Sequence, residues 1–137
     1  MNSETIEKNG KTYAIIVYSD TPVDNVKFFT SEEHTLQVGV HNKEKNSTIQ
    51  PHIHKDVLRT IKDTEEFLHI DKGKLLVEIF DETKKKIAEK ILQEGDSILF
   101  IQGGHGFKML EDTKIIEVKQ GPYLGNKDDK ERFEVKK

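Results

Sequence analysis

The stretch HIHKDVLRTIKDTEEFLHIDKG, residues 52–73, has a histidine pair at its start and a glutamate followed by a glycine at its end. A β-strand directs alternate side chains to the same face, so a strand here would point His52 and His54 the same way, about 6.6 Å apart. Neutral imidazoles at that spacing can both reach one metal ion, with a carboxylate from a neighbouring strand as third ligand. The stretch therefore predicts a metal site on β-structure, with Glu66 as the carboxylate.

The rest of the chain consists of short β-like runs separated by turn residues. Asn9-Gly10 lies between two such runs and predicts a hairpin, and Asp71-Lys72-Gly73-Lys74 predicts a second hairpin between residues 67–70 and 75–80. About ten short strands and no long helix indicate an all-β protein, an antiparallel sandwich or barrel. The other β-like runs are residues 26–29, 36–40, 87–92, 97–101, 107–110 and 114–119.

Length and composition limit the classes of protein to which the chain can belong. Its 137 residues fit a single domain over residues 1–137, with a core at about residues 12–123 and a charged tail at 124–137 that is expected to pack weakly. The 22 Lys and Arg residues nearly balance the 25 Asp and Glu residues, which argues against a nucleic-acid partner. The chain has no cysteine, so disulfides and thiolate zinc sites are excluded. No segment resembles a signal peptide or a membrane span, so we expect a cytoplasmic protein with no membrane partner.

A second motif follows the first along the chain. Gly95-Asp96 leads through an apolar run into GGHGF, which contains His105. These features together resemble the two motifs of the cupin family, over roughly residues 39–121. The first motif is matched by the histidine pair and by the six residues between Glu66 and Gly73, and the second by Gly95-Asp96 with GGHGF. The resemblance implies a double-stranded β-helix, the jelly-roll barrel of cupins.

The chain departs from the cupin pattern in two places. Eleven residues separate His54 from Glu66, about seven more than in the family pattern, and we interpret residues 55–64 as a loop inserted at the barrel mouth. The second motif lacks its usual proline and is one residue short before His105. The segments RTI, TEE, GGHGF and VKQGPY further resemble a subgroup of small cupins often encoded among bacterial surface-polysaccharide genes.

The resemblance implies a metal site with His52, His54, Glu66 and His105 as ligands. Three imidazoles and one carboxylate suit a single divalent ion of Fe, Mn, Ni, Cu or Zn, with positions left open for water, substrate or dioxygen. Glu65 is the alternative carboxylate. Strand alternation sends Glu65 and Glu66 to opposite faces, and the spacing to Gly73 favours Glu66.

Several other residues are candidates for binding a substrate. A guanidinium or ammonium group in the inserted loop would hold an anionic group, although the same loop could be solvated, with Asp56 and Asp63 as partners. An aromatic ring after His105 would form a pocket wall, and two side chains near the end of the last strand would either line the pocket or support the strand end. These candidates are Arg59, Lys62, Phe107, Gln120 and Tyr123.

The resemblance implies a metalloprotein that acts on a small molecule, with a sugar or sugar nucleotide as the substrate class that the subgroup suggests. An oxygenase and an isomerase or epimerase both remain open, because no catalytic acid or base can be assigned. The alternatives are a non-catalytic module that binds or senses a small ligand through the metal, and a cupin that has lost its metal. Phe67 and His69 are expected on the outer face of their strand, and an exposed Phe67 suggests a homodimer through one sheet.

Overall fold

The chain folds into ten β-strands in a computed structural model that describes residues 1–125 and 129–135. Within these residues, no helix is long and apolar enough to span a membrane. The strands are β1 (Glu4–Lys8), β2 (Lys11–Val17), β3 (Asn25–Phe28), β4 (Gly39–Asn42), β5 (Glu66–Lys72), β6 (Lys74–Phe80), β7 (Lys86–Gln93), β8 (Ser97–Phe100), β9 (Gly104–Met109) and β10 (Lys114–Lys119).

The strands form three antiparallel sheets. A five-stranded sheet has the order β1-β2-β8-β5-β10, a three-stranded sheet has the order β7-β6-β9, and β3 and β4 pair separately. The prediction of an all-β protein with antiparallel strands is confirmed. The sheets do not close into a barrel.

The main core lies between the five-stranded and the three-stranded sheet. Alternate residues of β5 and β8 face this core, as the two-residue period of a strand requires. The side chains of both sheets interdigitate there and are almost fully buried: Ile6, Tyr13, Ala14, Ile16, Leu68, Ile70, Ile98 and Phe100 from the larger sheet, and Leu75, Val77, Ile79 and Leu92 from the smaller one.

The predicted hairpin at Asn9-Gly10 is confirmed. Asn9 has φ of 52° and Gly10 has φ of 75°, the left-handed pair that a two-residue turn between twisted strands requires. The turn joins β1 to β2, and Ile6 of β1 is part of the main core.

The second predicted hairpin is wrong. β5 and β6 follow one another through Gly73, but they belong to different sheets. Gly73 has φ of 97°, and a Cβ atom there would lie 2.4 Å from the carbonyl oxygen of Asp112. The glycine thus forms a tight corner that sends the chain from one layer of the sandwich to the other.

The strand predicted at the histidine pair is also absent. Residues 43–65 form no strand, and the side chains from residue 43 to residue 64 are all exposed. The run predicted at residues 36–40 forms a strand only from Gly39, and the run predicted at residues 107–110 begins earlier, as β9 from Gly104. An isolated pattern of alternating residues forms a strand only where a neighbouring edge is available to pair with it.

The outer face of the five-stranded sheet is partly covered by the chain itself. Ile15, Leu99 and Ile101 form a second apolar cluster, and Phe67 packs against it together with Phe29, Leu36 and Val38. Phe67 points outward as predicted but is half-buried, so the expected exposure of Phe67 is wrong.

Part of the charged tail also packs on the domain. The Phe133 ring lies 5.1 Å from the Phe80 ring, and Lys84 and Glu131 form an ion pair of 2.7 Å. The tail was expected to pack weakly, but the structure gives these two residues specific partners. Residues 126–128 and 136–137 of the predicted tail lie outside the described residues.

Candidate functional site

Glu66 and His105 meet between the two main sheets. Glu66 begins β5, where it pairs with Phe100 of β8 and Lys119 of β10, while His105 lies on β9 opposite the fully buried Ile79. His105 Nε2 lies 3.0 Å from Glu66 Oε2, with the side chains 26% and 13% exposed. Two predicted ligands from distant parts of the chain are therefore in hydrogen-bond contact in a partly open position.

Aromatic rings form one wall of this position. The Phe100 ring stacks on the His105 imidazole, with centroids 4.0 Å apart and an angle of 17° between the planes. The Phe107 ring lies 5.4 Å from the imidazole. Phe107 thus lies beside His105, and its role as a pocket wall stays a prediction. The apolar wall fixes the ring orientation of His105 and lowers the local dielectric, which strengthens its contact with Glu66.

Glu117 is a third titratable residue of this site, and the sequence interpretation missed it. It lies on β10 two residues before Lys119, on the inward-facing side of the strand, and its carboxyl group hydrogen-bonds that of Glu66. Alternation along β10 puts Glu117 on the same face as Lys119. This alternation can be predicted from the sequence, but the pairing of β10 with β5, which brings Glu117 next to Glu66, cannot.

The two carboxyl groups have pKa values shifted in opposite directions. Burial raises the pKa of Glu66, but hydrogen bonds from His105 and Glu117 outweigh burial and lower it to about 2. The hydrogen bond to Glu66, followed by partial desolvation and the charge of Glu66, raises the pKa of Glu117, although its side chain is exposed. An ionised carboxylate, a second carboxyl group with a raised pKa and one imidazole thus lie close together. The Glu66–His105 pair offers two donors for a cation, and the three groups together can transfer a proton.

Lys119 contributes a positive charge to this cluster. Its ammonium group helps to lower the pKa of Glu66 and lies 3.1 Å from Asp129 Oδ2. It also lies 5.4 Å from the centre of the Tyr123 ring. Tyr123, a predicted substrate-binding residue, is therefore near the cluster through Lys119, although its own side chain is mostly exposed.

The histidine pair lies elsewhere, on the exposed segment 43–64. The rings of His52 and His54 are 5.2 Å apart, and His52 Nδ1 lies 2.8 Å from the Gln50 carbonyl oxygen. Among residues 1–125 and 129–135, no three His, Asp or Glu side chains are placed to hold one ion. The structure therefore groups the four predicted ligands as two pairs, Glu66 with His105 and His52 with His54.

Glu65 is on the opposite face from Glu66, as strand alternation predicted. Its side chain is 1% exposed, and the Leu36 backbone N–H donates to Glu65 Oε1 at 3.3 Å. Burial, followed by a hydrogen bond with Asp63, raises the pKa of Glu65. Glu65 therefore anchors the covering segment around Leu36 and does not face the Glu66–His105 pair.

Two of the predicted substrate-binding residues share a different location. Arg59 and Gln120 line an open cavity of about 730 Å³ together with Ile61 and residues of the segment 32–37. Lys62 is exposed and is not part of this lining. His69 lines a smaller cavity of about 310 Å³ with Phe67, and its Nδ1 lies 2.8 Å from Ser97 Oγ. This confirms the outer-face prediction for His69.

Comparison of the chain with protein-family models, with curated proteins and with solved structures finds no match.

Proposed function

We propose that this chain is a metal-binding protein of the cupin type that acts on a small molecule, with Glu66 and His105 as the core of its metal site. The observation that supports the proposal is the 3.0 Å contact between Glu66 Oε2 and His105 Nε2. The sequence motifs predicted this meeting of residues 39 positions apart on strands of different sheets.

The donor set of this pair fits a divalent transition metal. A carboxylate oxygen and an imidazole nitrogen are both ligands that Fe, Mn, Ni, Cu and Zn accept, and donors bound about 2.0–2.2 Å from one ion can lie about 3 Å from each other. Glu66 is ionised at neutral pH because its pKa is about 2, so it needs no deprotonation before it binds a cation. Glu117 supplies a further carboxyl group beside them.

His52 and His54 would complete the ligand set. As placed, they do not fit a shared centre with Glu66 and His105, so this half of the proposal requires the exposed segment 43–64 to fold over the Glu66–His105 pair. That segment has no strand pairing and buries none of its side chains through residue 64, so its movement would disrupt few contacts.

A bound ion would polarise a carbonyl or hydroxyl oxygen of a substrate, or lower the pKa of a bound water molecule. The chain's own residues would orient the substrate and move protons. Phe100 and Phe107 would exclude water from one side of His105, and Glu117, whose pKa is raised, would exchange a proton with the substrate. Sugar-derived compounds are the substrate class that the resemblance suggests, with either oxygenation or isomerisation as the reaction.

A second candidate is a small-molecule site that works without a metal. The observation that favours it is that Glu66, His105 and Glu117 already satisfy one another by hydrogen bonds. A metal-free set of this kind can serve as an acid–base group or as a polar anchor for a ligand.

Metal retention in matched variants tests the proposal. The wild type, incubated with Fe, Mn, Ni, Cu or Zn and then desalted, is expected to retain about one equivalent of metal by elemental analysis. Glu66→Ala and His105→Ala are expected to lower the affinity for that metal by about 100-fold or more, since even residues behind the ligands are worth about 10–100-fold. His41→Ala removes an exposed histidine of β4 and is the matched control.

The remaining variants separate the parts of the proposal. Equal losses in His52→Ala and His54→Ala would support closure of the 43–64 segment. Losses confined to Glu66→Ala and His105→Ala would restrict the site to the strands. A wild-type protein that retains no metal from any of the five ions would contradict the metal proposal and favour the metal-free candidate.

A further inference from the structure

The outer side of the β5–β10 pair carries the cavity lined by Arg59 and Gln120, which is separate from the Glu66–His105 pair. Residues alternate across both strands: Glu66 and Lys119 face inward, whereas Glu65 and the residue that follows β10, Gln120, lie on the other side. The Gln120 backbone N–H donates to the Glu65 carbonyl oxygen at 3.1 Å, which fixes Gln120 beside β5. The two locations are therefore back to back across one sheet.

Gln120 has an unusual environment in this cavity. Its Oε1 atom is buried, and within residues 1–125 and 129–135 it has no hydrogen-bond partner. A buried amide oxygen without a partner costs free energy, and native proteins retain few of them without a reason. Gln120 lines the cavity, so a rotation of its amide would bring Oε1 within reach of a ligand that donates the missing hydrogen bond.

The charged groups of the cavity indicate the chemistry of such a ligand. Arg59 makes no ion pair with any described residue, so its guanidinium group is available for a carboxylate or phosphate. Glu32 and Glu33 add carboxylates that accept hydrogen bonds from hydroxyl groups and attract an ammonium group. The cavity volume of about 730 Å³ is in the range of small-molecule sites.

We propose that this outer cavity, with Arg59 and Gln120 as its principal contacts, binds a small molecule that carries both an anionic group and hydroxyl or ammonium donors. Arg59 pairs with the anionic group, Gln120 Oε1 accepts a hydrogen bond, and the carboxylates of Glu32 and Glu33 receive the remaining donors. Ile61 gives an apolar contact at the rim. The Glu66–His105 pair lies on the other face of the sheet, so this site does not need metal at that pair, but closure of the segment that carries Arg59 over the inner face would take Arg59 away from it.

Titration with glucosamine 6-phosphate, followed by backbone amide NMR, tests the site. This probe has a phosphate, an ammonium group and hydroxyls. We expect shifts of the amides of Thr35, Gln37 and Gln120 at a probe concentration of about 10 mM or below, which detects millimolar affinity. Glucosamine, which lacks the phosphate, and glucose 6-phosphate, which lacks the ammonium group, are expected to bind more weakly.

Two variants distinguish a binding role from a structural one. Arg59→Gln is expected to weaken binding of glucosamine 6-phosphate about tenfold or more while leaving the affinity for glucosamine unchanged. Gln120→Met is expected to weaken binding about fivefold while the melting temperature stays equal or rises, because an unpartnered buried oxygen is removed. A purely structural glutamine would lower the melting temperature on replacement.

Two control variants show whether binding depends on the outer cavity. Arg132→Gln removes the same charge outside the cavity and is expected to bind like wild type, as is Glu66→Ala, which impairs only the inner site. Absence of amide shifts at the cavity with glucosamine 6-phosphate, or equal affinities in Arg59→Gln and Arg132→Gln, would overturn the proposal.

Discussion

Glu65 and Glu66 are consecutive residues with opposite environments. Glu65 is buried under the covering segment on the outer side of the sheet, where burial raises its pKa. Glu66 faces the other layer, where hydrogen bonds from His105 and Glu117 overcome burial and lower its pKa to about 2. One carboxyl group is stabilised in its neutral form and the other in its ionised form.

The difference shows how the two faces of β5 divide their roles. The inner face combines the main core with the Glu66–His105 pair, so packing residues and titratable residues are neighbours along the strand. The outer face is covered by a segment without regular structure that Glu65 helps to anchor. The two chemical environments therefore lie on opposite faces of the same sheet.

The largest expected effect is the loss of folding stability when a core residue on the inner face of β5 is replaced. Leu68→Ala is expected to lower the free energy of unfolding by about 3 kcal/mol, because Leu68 is 2% exposed and the change leaves a cavity in the main core. Ile116→Ala on the outer side of β10, where Ile116 is 48% exposed, is expected to cost less than about 1 kcal/mol. Urea denaturation of both variants measures the difference, and equal losses would show that the two faces are equally packed.

Glu65 and Glu66 are expected to have a smaller effect on the free energy of unfolding, and their contributions should depend on pH in opposite directions. The folded-state pKa of Glu66 is below its ordinary value of 4.5, so its stabilisation is complete above about pH 4.5 and is lost as the pH falls toward 2. The folded-state pKa of Glu65 is raised, so its stabilisation is complete below about pH 4.5 and is lost as the pH rises through that folded-state pKa.

Glutamine variants make this comparison measurable. Glu66→Gln is expected to cost on the order of 2 kcal/mol at neutral pH and progressively less as the medium is acidified. For Glu65→Gln, any loss relative to wild type is expected to be greatest in acid and to shrink as the pH rises. Urea denaturation between about pH 3 and about pH 7 gives both curves, and parallel curves would contradict the assigned environments.

The smallest expected effect on the free energy of unfolding is that of replacing Glu117. Glu117→Ala is expected to change the free energy of unfolding by no more than about 0.5 kcal/mol, because the residue is exposed. The pKa of Glu66 is nevertheless expected to rise, because one of the hydrogen bonds that lower it is lost. Carboxyl ¹³C NMR titration measures this pKa. Glu111→Ala, an exposed glutamate in the turn between β9 and β10, is the control and should leave the pKa of Glu66 unchanged.

Local patterns predicted the features that depend on neighbouring residues. The Asn9-Gly10 turn, the run that becomes β10 and the opposite orientation of Glu65 and Glu66 all follow from turn chemistry or from the two-residue period of a strand. The motif resemblance went further and predicted the meeting of Glu66 with His105. The prediction that His52 and His54 join them as metal ligands stays a prediction.

The strand pairing was decided only by the tertiary structure. The same residues around Gly73 could form a hairpin or a corner, and the close approach of the Asp112 carbonyl oxygen reflects the corner between layers. Glu117 reached Glu66 only because β10 paired with β5, and the histidine pair remained outside the sheets because no strand edge pairs with it. The sequence by itself determined strand period and turn geometry, which are local. The tertiary structure decided which edges meet, because hydrogen bonding and burial between distant segments compete over the whole chain.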